Sequence, residues 1–283
     1  MRILHVDTGR EVRGGQIQMK LTARGLESAG HDCVLLAGER ATLSKVWSQS
    51  NNVDVVHAHD ARAHTLCAVA CRRPFVVSRR VAFPVKRTAW SKWKYRRANR
   101  YIAVSQFVAQ ELAAAGVPRE KIDVVYDGAH ASRAVWNASG RAVGLATADP
   151  QKGRTLLERA AHTAGIPVTF SNDLERDLEN SSMFVYISQS EGLGSAALLA
   201  MAKGIPVIAS RVGGLAEVFE NGVSGVYVSN DPDEIAAGIR RLREDPDLAA
   251  TLIQGGLERV NEKFTVEHLI RGTLKSYERA LAG

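Results

Sequence analysis

Phe184-Val185-Tyr186-Ile187-Ser188 runs into Ser190-Glu191-Gly192-Leu193-Gly194-Ser195 and then into Ala196-Ala197-Leu198-Leu199-Ala200-Met201-Ala202. A short apolar run, a glycine-bearing turn with one carboxylate, and an apolar helical stretch make a βα unit. Amides at a helix start favour an anion, and a carboxylate beside them accepts hydroxyl hydrogen bonds. Glu191, Gly192, Leu193, Gly194 and Ser195 therefore suit a phosphorylated, hydroxyl-bearing ligand. A plainer reading stands beside it: Glu191 as a helix-start charge complementing the dipole, worth about 0.3–1 kcal/mol.

The same unit repeats in both directions along the chain. Upstream, strand-like runs at 2–6, 33–37, 53–57, 74–78, 101–104 and 122–126 alternate with helical patterns at 16–29, 61–72, 88–98 and 105–115. Ser105 is placed to cap a helix that Gly116-Val117-Pro118 stops. A second series has strands at 142–146, 166–170, 183–187, 205–209 and 224–228, with helices at 153–164, 194–203, 231–244, 247–262 and 265–281. Alternation of this kind predicts an α/β protein with parallel sheets. Two such series predict two facing Rossmann-like domains, with a cleft at the carboxyl ends of the strands. The expected division is 1–128, a linker at 129–141, and 142–264, with the helix at 265–283 crossing back onto the first domain.

A chain of 283 residues fits two domains at roughly 150 residues each. Hydrophobic residues at 45% and charged residues at 24% are ordinary for a globular protein. No apolar run approaches the roughly 20 residues of a membrane span, and the first residues read as a buried strand rather than a secretory leader. Three cysteines without a CxxC argue against a disulfide scaffold or a zinc ribbon. A reducing, cytoplasmic setting is expected.

The formal net charge of +7 is unevenly placed, because no acidic residue lies between Asp60 and Glu111. Arg79, Arg80, Lys86, Arg87, Lys92, Lys94, Arg96 and Arg97 fall in that interval, interleaved with Trp90 and Trp93. Such a run fits an anionic membrane surface, where each cation gains about 1 kcal/mol, or a solvated basic helix. Nucleic acid is a weaker fit, since only this stretch motivates it.

Other motifs are less specific. Arg13-Gly14-Gly15-Gln16 follows the first strand and opens a helix, which suits close backbone approach to an anion or a turn without a ligand. Val212-Gly213-Gly214-Leu215 is a second glycine pair at a strand-to-helix turn. Lys152-Gly153 closes the loop after the strand at 142–146; its ammonium reaches a phosphate or simply meets solvent. His57 and His59 share a strand face, but no third ligand follows at metal-site spacing, so no metal is expected. Cys67 and Cys71, four apart on an apolar helix, read as core.

Taken together these segments resemble the GT-B glycosyltransferases, specifically retaining glycosyltransferase family 4. The resemblance spans nearly the whole chain. It includes Gly14-Gly15, Asp54-Val55-Val56-His57-Ala58-His59, Ile102-Ala103-Val104-Ser105 and Val124-Val125-Tyr126-Asp127-Gly128. It is densest over Ser190–Gly194, Ala200–Ala209, Gly213–Glu217 and Gly222–Gly225. The resemblance implies a nucleotide-diphosphate-sugar donor held mainly by the second domain, an acceptor on the first, and retention of configuration. It implies no cofactor and no obligatory metal. Carried over, Gly14 and Gly15 lie near the donor phosphates, Lys152 contacts the diphosphate, and Glu191 contacts sugar hydroxyls.

The departures are specific. The family's second glutamate, eight positions after the first, is Leu199 here. Its Gly-Arg after the first strand of the second domain is Gly144-Leu145, which leaves Arg154 or Arg211 to replace the arginine. Its first-domain histidine near the sugar is Arg80. The second domain is also expected to be short by about one βα unit between Thr155 and Met183. The expected function is a metal-independent hexosyl-type transferase acting on an anionic glycolipid or lipopolysaccharide-type acceptor, peripheral on the inner face of the membrane. The expected site is Glu191, Lys152 and Arg80, with the Arg79–Arg97 block facing acceptor or membrane. The alternative is a non-catalytic binding or regulatory protein on a degenerate scaffold of the same kind.

Overall fold

A computed structural model of the chain describes residues 1–10, 14–86, 88–132 and 134–283. Arg13 and Arg87, singled out in the sequence, lie outside the described residues. The first run of elements is β1 (Arg2–Asp7), α1 (Gly14–Ser28), β2 (Asp32–Ala37), α2 (Leu43–Ser50), β3 (Val55–Ala58), α3 (Ala61–Ala70), β4 (Phe75–Arg79), α4 (Ala89–Arg97), β5 (Arg100–Ala103), α5 (Gln106–Ala114) and β6 (Ile122–Val124). The second is β7 (Arg141–Leu145), α6 (Arg154–Ala164), β8 (Val168–Ser171), α7 (Leu174–Asp177), β9 (Ser181–Tyr186), α8 (Ser195–Ala202), β10 (Val207–Ser210), β11 (Val226–Val228), α9 (Pro232–Glu244), α10 (Pro246–Lys263) and α11 (Val266–Ala282). They form two compact units, Met1–Gly128 with Val266–Gly283, and Ala129–Thr265.

The first unit holds a six-stranded sheet in the order β2-β1-β3-β4-β5-β6, parallel throughout. Its central strands are buried on both faces, as in a helix-covered parallel sheet. Ile3, Val55, Val76 and Ile102 form one core with Leu26 of α1 and with Val266, Leu269, Ile270, Tyr277 and Ala280 of α11. The spacing of those α11 residues lays one helical stripe on the sheet. Ser105 caps α5 by accepting from the Val108 amide at 3.1 Å.

The second unit holds a five-stranded sheet in the order β11-β10-β9-β7-β8, also parallel. Met183, Val185 and Ile208 pack against Leu157 of α6 and against Ile235, Ala236, Ile239 and Leu242 of α9. α9 and α10 start the way their sequences announce: Asp231-Pro232 and Asp245-Pro246 each place an aspartate cap before a proline.

Two helices escape the sequence reading. α2 lies where no helix is expected; Thr42 caps it, and it buries only Val46 and Ser50. α7 is a four-residue turn capped by Asp173. Both are too short to show a helical period. The described residues between 130 and 140, in the stretch read as a linker, form no helix or strand, yet they are tied along the second unit. Trp136 Nε1 donates to the Ser182 carbonyl at 2.9 Å, and the Ala134 amide to the Lys203 carbonyl at 2.9 Å.

Candidate functional site

In the second unit, Glu191 sits in the loop between β9 and α8 and is only 7% exposed. Lys152 ends a short 3₁₀ turn, Pro150–Lys152, that follows β7, the neighbour of β9. Its Nζ donates to Glu191 Oε1 at 2.5 Å. The Tyr186 hydroxyl, at the end of β9, donates to the same oxygen at 2.6 Å. The Lys152 ammonium also lies 5.8 Å from the Tyr186 ring centroid. Burial, then the neighbouring carboxylate, pushes the Tyr186 phenol well above its ordinary range, so it stays a proton donor.

The surrounding backbone explains the glycines. Gly194 precedes α8 at φ +104°, and a Cβ there would come 2.7 Å from Leu215 Cδ1. Gly194, at the N-cap of α8, has no side chain with which to cap the helix. Gly213 has φ +48°, a Cβ there would collide with the Glu191 carbonyl, and the Gly214 amide donates to that carbonyl at 2.9 Å. Gly153 has φ +58°, and a Cβ there would collide with Ile187. Each glycine lets the Lys152 and Glu191 loops close on β9. Leu193 is buried, and Ser195 opens the helix. Of the two arginines offered as replacements, Arg154 is paired with Glu158 on its own helix at 2.8 Å. Arg211 is exposed directly after β10 and lies 5.8 Å from the Tyr227 ring.

The first unit gathers polar groups at its own strand ends. The Arg80 Nε lies 3.1 Å from Asp127 Oδ1, and both side chains are largely buried. Arg80 Nη1 lies 3.2 Å from His59 Nδ1, and His59 Nε2 lies 2.9 Å from His5 Nδ1. A guanidinium only donates, so His59 Nδ1 accepts, His59 Nε2 carries the proton, and His5 Nδ1 accepts in turn. His57 bonds the Tyr277 hydroxyl and Ser78 Oγ, each at 2.7 Å. Burial first, then nearby charge, lowers all three imidazoles, His5 to about 3.

This corrects the sequence reading that His57 and His59 lack a third companion. Parallel pairing sets His5 opposite His57, and the nitrogens of His5, His57 and His59 lie within 4.8 Å of one another. The cluster is poorly suited to a cation, because the Arg80 guanidinium occupies the His59 lone pair and brings a positive charge alongside. Cys67 and Cys71 are buried, as their helical spacing suggests.

Gly14 and Gly15 open α1, and a Cβ on Gly15 would meet nothing within 4 Å. The basic stretch divides in two. Lys86, Trp90, Lys92, Trp93, Arg96 and Arg97 are exposed, and the two indoles stack at 4.8 Å. No residue of α4 is fully buried. Arg79 and Lys94 turn inward instead. Arg79 donates to the Tyr95 hydroxyl at 3.1 Å, and Lys94 Nζ to Thr65 Oγ1 at 3.3 Å. Sequence reading missed Tyr186, His5, Asp127 and Tyr277 as partners. A tyrosine ending the strand before the Glu191 loop was the only available signal.

Two Rossmann-like units with parallel sheets, one carrying a carboxylate–ammonium pair beside a glycine-led helix start, define a GT-B-type protein. The "Glycosyl transferases group 1" family model matches residues 153–259, and the "Glycosyltransferase Family 4" model matches residues 39–133. Between them the two models cover most of the chain, and together with the fold they support a group 1 glycosyltransferase of GT-B type. A D-inositol 3-phosphate glycosyltransferase of Nocardioides sp. is 36% identical over 118 residues, which cover 41% of this chain and 26% of that protein. An alpha-maltose-1-phosphate synthase of Mycolicibacterium smegmatis is 37% identical over 112 residues, 37% of this chain and 29% of its own length. The matches thus span under a third of these curated relatives. Anabaena HepE, solved with UDP and glucose, superposes with a TM-score of 0.82 at 19% identity, covering 98% of this chain and 99% of its own.

Proposed function

We propose that the protein transfers a sugar from a nucleotide-diphosphate-sugar, held by the second unit, to an acceptor bound by the first. One observation carries this: the Lys152–Glu191 pair at the strand ends, beside the start of α8, with Glu191 and α8 inside the segment matched to group 1 transferases and Lys152 immediately before it. Glu191 accepts donor-sugar hydroxyls. Lys152 and the α8 amides stabilise the charge that develops on the departing diphosphate. Arg211 supplies the second cation that Leu145 withholds. A fixed cationic and amide environment performs the task that a metal serves elsewhere, and the family resemblance supports retention of configuration.

The acceptor we infer is anionic and membrane-associated, of glycolipid or lipopolysaccharide type. The exposed face of α4 supports it, with stacked Trp90 and Trp93 among Lys92, Arg96 and Arg97. No helix among the described residues is long and apolar enough to cross a membrane. We infer that the α4 surface makes the membrane contact, on the inner membrane face.

The test is radiolabelled sugar transfer from UDP-, GDP- and ADP-sugars to a bacterial lipid extract. Transfer with one donor family, reduced at least about 100-fold by Glu191→Ala, is expected. Transfer indifferent to Glu191→Ala would remove the site assignment. Absence of transfer and of donor binding would favour the binding-protein reading that Leu199 and Leu145 motivate.

A further inference from the structure

Glu191 is gripped by one oxygen only. Lys152 Nζ and the Tyr186 hydroxyl both donate to Oε1, and among the described residues no hydrogen bond reaches Oε2. The two donors differ in kind. The Lys152 side chain is 26% exposed, ends a short turn, and can swing its ammonium toward another anion. Tyr186 is 5% exposed and locked in the sheet, in register with Ala209 of β10 and stacked on Phe184 at 5.6 Å. Its hydroxyl has Glu191 as its hydrogen-bond partner, and a buried phenol needs one.

We propose that Tyr186 is a positioning residue for Glu191: it fixes the carboxylate by Oε1 and leaves Oε2 as the acceptor offered to a sugar hydroxyl. The proposal rests on the nucleotide-sugar reading of this site and adds to it a division of labour. When a diphosphate draws Lys152 away, the carboxylate loses one of its two anchors. Tyr186 then holds Glu191 alone, so the sugar contact survives phosphate binding. A ligand without a sugar makes no demand on Oε2 and is indifferent to this anchor.

That difference supplies the test. Wild type, Tyr186→Phe, Glu191→Gln and the double variant are titrated calorimetrically with three pairs: UDP and UDP-glucose, GDP and GDP-mannose, ADP and ADP-glucose. Tyr186→Phe removes one oxygen atom and keeps the ring, and its melting temperature serves as the folding control. For the pair that wild type binds, Tyr186→Phe is expected to weaken the sugar conjugate about tenfold, the loss typical of a hydrogen bond to a charged group. The bare diphosphate should change by less than about twofold. Glu191→Gln should show the same selectivity, and the double variant should bind no more weakly than Glu191→Gln alone. Equal losses for both members of the pair, or no loss for either, would overturn the role of Tyr186 while leaving the donor site standing. Failure of wild type to bind any pair would overturn the donor site and the Tyr186 role together.

Discussion

Acidification from pH 7 to pH 5 should destabilise the first unit strongly, and the histidines set the size of the effect. His5 and His64 are buried, and each has its pKa lowered from 6.5 to about 3. For both, burial is the larger cause; Arg80 adds to it at His5 and Lys94 at His64. A group whose folded pKa is depressed takes up protons on unfolding, so its contribution is complete above the unfolded pKa and is lost as pH falls below it. At pH 5, each of these imidazoles removes RT ln(1 + 10^1.5), about 2 kcal/mol, from the folding free energy. Together they remove about 4 kcal/mol, a large share of the roughly 5–15 kcal/mol typical of a domain. His57 and His59 are lowered as well and act with the same sign. Asp123, lowered mainly by Arg100 against a raising effect of burial, loses its contribution only near and below its ordinary 3.8, outside this window. Urea denaturation followed by circular dichroism at pH 7, 6 and 5 reads the effect. His64→Gln should reduce the pH slope between 6 and 5 by about 1 kcal/mol per unit. A stability that is flat from pH 7 to 5, or a His64→Gln slope equal to wild type, would refute the assignment of neutral buried imidazoles.

Three further outcomes follow from the geometry. Gly153→Ala places a Cβ against Ile187 at a left-handed φ of +58°, so it should cost about 1–3 kcal/mol in chemical denaturation and weaken donor binding with it. Asp127→Ala leaves Arg80 charged and largely buried with only an imidazole beside it, a loss of about 3 kcal/mol that Arg80→Met in the same chain should partly restore. Replacing both Trp90 and Trp93 by alanine should abolish sedimentation with anionic phosphatidylglycerol vesicles while leaving the melting temperature nearly unchanged, because both indoles are exposed.

The βα alternation was legible because the decisive signals are local. Apolar runs of strand length, the Asp-Pro helix starts and the Ser105 cap each act within a few residues. α2 and α7 were illegible for the same reason: they are too short for a period, and tertiary packing decides them. In the candidate site, Glu191 and Lys152 could be named from loop position together with the family resemblance, since each follows the carboxyl end of a strand. The contact between them depends on β7 and β9 being neighbours, which sequence order does not state. The histidine cluster shows this most clearly. His57 and His59 share a face by simple alternation. His5 joins them only because β1 pairs with β3, 52 positions away in register. The basic block was read as one surface, yet Arg79, Lys94 and Arg97 find partners in the fold while Lys86, Lys92 and Arg96 are exposed. Nothing in a run of like charges distinguishes the two.

The most direct measurement is a thermal-shift panel of wild type and Lys152→Ala with UDP, GDP, ADP, CMP and their sugar conjugates. A ligand bound only by the folded state at about 100 times its dissociation constant adds roughly 2.7 kcal/mol, a shift of several degrees. The account predicts stabilisation of wild type by one nucleotide family, and loss of most of that shift in Lys152→Ala. No shift with any nucleotide, or an equal shift in both proteins, would contradict the placement of a nucleotide-sugar site at Lys152 and Glu191.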